Sequence, residues 1–147
     1  MESTRAAAGL IGIAVQAFEL KTPAALNSVF DTLATKTFDA LLVLPDAATL
    51  DLSSRIAALA LQERIPVLST SPELTAAGGL ISYGVSRREN YRRSAYFVRR
   101  ILDGAKPADL PVEQPTRILL SINLKTAKEL GLTIPQTLVA TADEVIE

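Results

Sequence analysis

Apolar runs of strand length alternate with helical stripes along this chain, and that alternation restricts the possible folds more than any other feature. Ile11, Ile13 and Val15 share one face at period two, which predicts a strand within residues 10–20. Thr22 then offers a helix N-cap and Pro23 a first helical position, ahead of a stripe of Leu26, Val29, Phe30 and Leu33. Residues 40–44 (ALLVL) are continuously apolar, as in a parallel strand covered on both faces, and Pro45-Asp46 ends the run. Leu52, Ile56 and Leu59 mark another helix, and Val67-Leu68 a short third strand. Ser69-Thr70-Ser71-Pro72 is a turn that opens a brief helix through Ala77. Strand–helix units in series require crossover connections, so the predicted class is α/β, a three-layer αβα fold around a parallel sheet.

The second half is less regular. Leu80 to Tyr83 reads as a strand held between Gly78-Gly79 and Gly84. Tyr91, Ala95, Val98 and Leu102 form the stripe of a long helix, with Gly104 placed to follow its end. Residues 105–116 carry three prolines and predict an extended connector. Residues 117–122 form an apolar strand, Asn123 caps a helix bearing Leu124, Ala127 and Leu130, and Gly131 stops it. The tail from Gln136 predicts a helical turn and a strand.

The 147 residues are enough for one domain with its own core, and 48% apolar with 21% charged residues is a globular balance. The chain contains no Cys and no His, which removes thiolate metal sites, the common triads and the usual general base. No phosphate-binding glycine loop or nucleophile elbow is present. Ser121 and Lys125 lie four apart, but Ser121 ends a strand and Asn123 reads as a cap, so they make a poor dyad. These absences favour a chain that binds without chemistry, with no cofactor and no metal. A net charge of −1 gives no broad attraction to nucleic acid. Arg87, Arg88, Arg92, Arg93, Arg99 and Arg100 surround the helical stripe as a solvated face, or alternatively face a partner lobe.

Ligands of open α/β sheets sit beyond the carboxyl ends of the strands. That rule selects Asp46, Ser69, Thr70, Ser71, Ser82 and Tyr83 as candidate ligand-binding residues. Asp46 suits an ammonium group, the hydroxyls and helix-start amides a carboxylate, and Tyr83 an aromatic wall, together fitting an amino acid-like zwitterion. Each has a structural role available as well. Asp46 serves equally as a cap, Ser69 and Ser71 as turn residues, and Tyr83 as half-buried packing.

Four stretches carry a further signal in their order: DALLVLPD (39–46), AGGLISYG (77–84), ILDGAKPADLPVEQPT (101–116) and INLKTAKELGLTIP (122–135). Together they resemble the carboxy-terminal half of ABC transporter substrate-binding proteins of the tryptophan/tyrosine-binding type. The resemblance implies a periplasmic-binding-protein type I-like lobe, one of two that clasp a small ligand and deliver it to an ABC permease. It implies a lobe core over 1–83, a crossover helix, connector and strand over 84–121 belonging with the other lobe, and a return over 122–147. It also implies a periplasmic or lipoprotein-anchored location. The start, MESTRAAAGLIGIAVQAF, reads instead as a helix tail and a strand, because Glu2 occupies what would be the basic region of a signal. A single lobe leaves the Tyr91/Ala95/Val98/Leu102 stripe unmatched, so a homodimer that exchanges residues 84–122 is expected. The alternative function is a non-transport homodimeric interaction or regulatory domain.

Overall fold

The computed structural model describes residues 2–20, 22–35 and 37–147. A helix α1 (Glu2–Leu10) leads into an irregular stretch, then α2 (Ala25–Thr35), β1 (Leu41–Val43), α3 (Ala47–Asp51) and α4 (Ser53–Gln62). β2 (Val67–Ser69), α5 (Pro72–Ala76), β3 (Ile81–Val85) and α6 (Arg87–Leu102) follow. β4 (Ile118–Asn123), α7 (Leu124–Leu130), α8 (Gln136–Val139) and β5 (Glu144–Ile146) complete the chain. The five strands form one sheet in sequential order, β1-β2-β3-β4-β5.

The sheet is mostly, not wholly, parallel. β1–β2, β2–β3 and β4–β5 are parallel, whereas β3 and β4 pair antiparallel, Ser82 against Ser121 and Gly84 against Leu119. The expected parallel sheet is found at every pair but β3–β4. The long excursion through α6 and the proline-rich connector brings the chain back to the same end of the sheet that it left, Ile118 beside Val85, which reverses β4.

The strand expected within 10–20 does not form. Ile11 is 71% exposed, and residues 13–20 make no ladder with any described strand. Period-two patterning yields a strand only where a neighbouring strand supplies hydrogen bonds, whereas Ile11, Gly12 and Ile13 donate locally to the Ala8 and Gly9 carbonyls and the segment pairs with no strand among the described residues. It contributes side chains instead: Phe18 and Leu20 pack on the core, Phe18 edge-on to Phe38 with ring centroids 5.8 Å apart. Thr22 is likewise not the cap of α2. Its carbonyl accepts from the Ala25 N–H in a turn that carries Pro23, and the helix starts two residues later.

The predicted stripe of α2 does reach the interior. Leu26, Phe30 and Leu33 cluster with Val43 of β1, Ile56 and Ala60 of α4, Ile65, Val67 of β2 and Leu74 of α5. The 40–44 run is covered less fully than its composition implies, with Val43 buried but Leu42 52% exposed. Burial of the inner face is the main favourable term holding the helices to the sheet, at roughly 25 cal/mol per Å² of apolar surface.

Around α5 and α7, polar side chains act as fasteners. The Asn123 side chain accepts from the Thr126 N–H, capping α7, while its Nδ2 donates to the Thr75 carbonyl of α5. Thr126 Oγ1 donates to the Gly78 carbonyl at 3.0 Å. Gly131 ends α7 with a left-handed φ of 73°, as its position in the sequence required. α5 and α7 are therefore tied together at the amino end of β3, where the Asn123 N–H donates to the Leu80 carbonyl.

Candidate functional site: a cleft at the strand ends

β2 ends at Ser69, and Thr70-Ser71 turn the chain into α5. The next strand brings Tyr83 and Gly84 beside that turn, and the approach is close. A Cβ on Gly84 would stand 1.9 Å from the Thr70 carbonyl oxygen. Only glycine permits this contact, which seats the β2 turn directly on β3. Because β4 runs antiparallel to β3, its first residue, Ile118, arrives at the same edge, opposite Val85. Ser86 accepts from the Glu89 N–H and caps α6, so Arg87 projects from the first turn beside the strand ends.

The result is an open cleft of about 330 Å³. Thr70, Ser71 and Tyr83 line it, as does Pro45 from the end of β1. Gly84, Val85, Ile118 and Arg87 complete the lining. Tyr83 is 61% exposed, so its ring is available rather than packed away.

Three other candidates lie apart from this lining. Asp46 follows Pro45 but is engaged in a reciprocal capping box. Its Oδ1 accepts from the Thr49 N–H at 2.7 Å, and Thr49 Oγ1 accepts from the Asp46 N–H. Ser69 is buried, donates to the Val43 carbonyl and accepts from the Ser71 N–H. Ser82 is fully buried, on the face of β3 opposite Tyr83, and its Oγ has no hydrogen-bond partner. The Ser71 hydroxyl, although at the cleft, donates to Glu73.

α3 and Arg87 were missed in the sequence. The Asp46-x-x-Thr49 spacing was the available signal for α3. Arg87 was read only as one of six arginines, although Ser86 directly before it marks a helix start.

The hydrogen bonds from Thr49, the backbone one above all, hold the Asp46 carboxyl below the usual carboxylate range. A depressed folded-state pKa contributes stability that is present above the ordinary carboxylate pKa and lost as pH falls through the folded value. Asp46→Ala should therefore lower the melting temperature at neutral pH, with the gap to wild type shrinking as pH drops below about 3.8. Parallel melts across that range test this. A gap of constant size would show that the cap does not depend on ionisation.

A second concavity, about 570 Å³, runs between α6 and residues 113–117. Its charges are matched internally. Arg93 grips Glu113 through two nitrogens, the Nε contact at 2.6 Å, and this pairing holds the Glu113 carboxyl below its usual range. Arg117 pairs with Glu89 at 3.0 Å. These contacts fasten the connector to α6, while α6 itself buries none of its residues. Among the described residues no group of acidic side chains is arranged to hold a metal ion, and no helix is long and apolar enough to cross a membrane.

A helix-flanked, mostly parallel sheet thus carries an open cleft, with Tyr83 in its lining, at its strand ends, an architecture of the α/β class. The chain belongs to the ABC transporter substrate binding protein family, which it matches over residues 1–146. It is similar to a conserved domain protein from Vibrio cholerae O1 biovar El Tor, with 29% identity and a TM-score of 0.86. The match covers 99% of this chain and 49% of that one. An ABC domain from Streptococcus pneumoniae in complex with L-Trp is similar at 27% identity and a TM-score of 0.87, over 99% of this chain and 50% of its own. An open, ligand-free substrate-binding protein with adhesive properties from Clostridium difficile shares the fold at 20% identity and a TM-score of 0.69, covering 99% and 48% respectively. The chain thus spans about half the length of these solved structures. No curated protein matches it. The family binds ligands without chemistry of its own, and its members are generally periplasmic or membrane-anchored.

Proposed function

We propose that this chain is one ligand-binding lobe of an ABC-type uptake system, contributing half of the site for a small, amino acid-like ligand. The observation that carries the proposal is the convergence of Thr70, Ser71 and the exposed Tyr83 ring on a single cleft at the strand ends. The similarity to a protein bound to L-Trp supports an aromatic ligand, and an exposed tyrosine ring suits one. In this reading residues 1–83 and 122–147 form the lobe, and 84–121 cross towards a second one. The bound form engages a permease on the outer side of the membrane.

Titration of the ¹⁵N-labelled chain with L-Trp to about 10 mM tests the site, since a half-cleft worth only ~3 kcal/mol still half-saturates there. Shifts should map to the amides of Thr70, Ser71 and Tyr83. Tyr83→Ala should weaken binding about 3- to 10-fold, the usual worth of one aromatic contact. Shifts confined to residues outside the cleft would remove the proposal.

A second reading, a homodimeric interaction domain, is favoured by one observation. α6 carries an apolar stripe that nothing covers, with Leu102 81% exposed. Its six arginines against one glutamate oppose pairing of that face with its own copy. Light scattering on the same samples separates the readings: a ligand-indifferent dimer favours the second, a ligand-responsive monomer the first.

A further inference from the structure

Resting on the cleft as a ligand site, we infer that Arg87 makes this lobe select its ligand by a carboxylate group, so the substrate class is apolar or aromatic carboxylic acids whether or not they carry an ammonium. Arg87 is the one formally charged residue among those lining the cleft. No carboxylate is among the lining residues, although Glu73 and Asp51 lie near enough to act on Arg87. Asp46 is committed to Thr49, and Glu73 accepts the Ser71 hydroxyl. No carboxylate is therefore presented to an incoming ammonium, whereas a guanidinium is presented to an incoming anion.

Three other arginines are already paired, Arg93 with Glu113, Arg117 with Glu89 and Arg99 with Asp103, and Arg88, Arg92 and Arg100 do not line the cleft. Arg87 forms no ion pair among the described residues. The Tyr91 hydroxyl one turn on, followed by the Glu73 and Asp51 charges, raises its pKa above the usual guanidinium value and keeps it cationic. A planar guanidinium offers two parallel N–H donors to a carboxylate, a match that an ammonium ligand cannot exploit. The rest of the cleft is suited to the body of such a molecule. Tyr83 brings an aromatic ring to the lining, Val85 and Ile118 apolar side chains, and Thr70 a hydroxyl-bearing one.

Three probes with one ring system separate the charges: L-Trp, indole-3-propionate, which lacks the ammonium, and tryptamine, which lacks the carboxylate. Titrations of the ¹⁵N-labelled chain should give similar dissociation constants for the first two. Tryptamine should bind at least about tenfold more weakly, the loss expected when a charge-assisted hydrogen bond is removed. Arg87→Gln should weaken the two acids by about the same factor and leave tryptamine unchanged. Arg88→Gln, an equal change of charge outside the cleft, should not discriminate among the three.

Tryptamine binding as tightly as indole-3-propionate overturns the inference while leaving the ligand site standing. Equal losses in the Arg87 and Arg88 variants overturn it too, by reducing Arg87 to a general field effect. If none of the three probes moves a cleft amide, the site itself fails and the inference goes with it.

Discussion

Gly84→Ala should lower the melting temperature by about 10 °C, a loss of about 3 kcal/mol or more, and should displace the β2 turn from the cleft. The added methyl would lie 1.9 Å from the Thr70 carbonyl oxygen, 2.6 Å from its carbonyl carbon and 3.0 Å from its Cα. All three are backbone atoms, so no side-chain rotation relieves the clash. Either β3 separates from the Thr70 turn or the turn moves, and both routes disturb ladder hydrogen bonds between β2 and β3. Alanine's ordinary gain from a less flexible unfolded chain, at most about 1 kcal/mol, is too small to compensate.

Gly104→Ala provides the contrast. Gly104 follows α6 with a φ of 99°, and a Cβ there meets nothing within 4 Å. Its cost is the backbone conformation alone, about 1–2 kcal/mol. Thermal melts of both variants, with the Thr70 and Ser71 amide shifts, check the difference. Equal melting temperatures would show that the approach of Thr70 to Gly84 does not constrain the fold, and the account of how the cleft is built would fall.

The sequence disclosed whatever depends on local rules. The stripe of α2, the Asn123 cap and the Gly131 stop follow from helical periodicity and end chemistry, and each is found where its residues predict. The segment at 10–20 shows the opposite case. Ile11, Ile13 and Val15 alternate as a strand should, but a strand is completed by another chain segment, and alternation carries no information about whether one is alongside. β4 is similar, because its direction depends on the route of the whole excursion from Ser86 to Arg117 rather than on residues 118–123 themselves.

The site was legible to the same extent. The strand-end rule led to Thr70, Ser71 and Tyr83, which the fold gathers into the cleft. Ser69 and Ser82 adjoin those residues in sequence, yet they lie within β2 and β3, where their side chains are buried. Asp46 is held by Thr49, a pairing visible as a spacing but in competition with the ligand role that the same carboxylate suggested. Arg87 was obscured by its company, since six arginines on one helix read as a surface. Only the fold shows that one of them stands at a strand end.

Leu74→Ala should cost about 3–5 kcal/mol, the upper part of the range for leucine truncation in a core. Leu74 is wholly buried, and α5 lies against β2, β3 and β4 at once. The size of the loss turns on whether the neighbours can close over the void. Here they cannot, because the surrounding backbone is already at contact distance. A Cβ on Gly79 would be 2.9 Å from both Leu74 Cδ2 and the Leu74 carbonyl, and one on Gly78 would be 3.1 Å from Ala57 Cβ. The Asn123 and Thr126 bonds to the Thr75 and Gly78 carbonyls hold α5 in place from the other side. With the helix unable to sink, most of the removed volume persists as a cavity, and each lost contact counts in full.

Leu102→Ala in α6 removes the same atoms from an 81% exposed position and should change stability by no more than about 0.5 kcal/mol in the monomeric chain. Urea unfolding of the pair checks the prediction. A loss below about 1 kcal/mol for Leu74→Ala would mean that α5 settles into the space. The Thr70-Ser71 turn leads directly into α5, so the cleft residues would then have to shift with it. A large loss with unmoved Thr70 and Ser71 amides has the opposite meaning. The turn is then held by the β3 backbone at Gly84, and α5 supplies stability without setting the geometry of the ligand site.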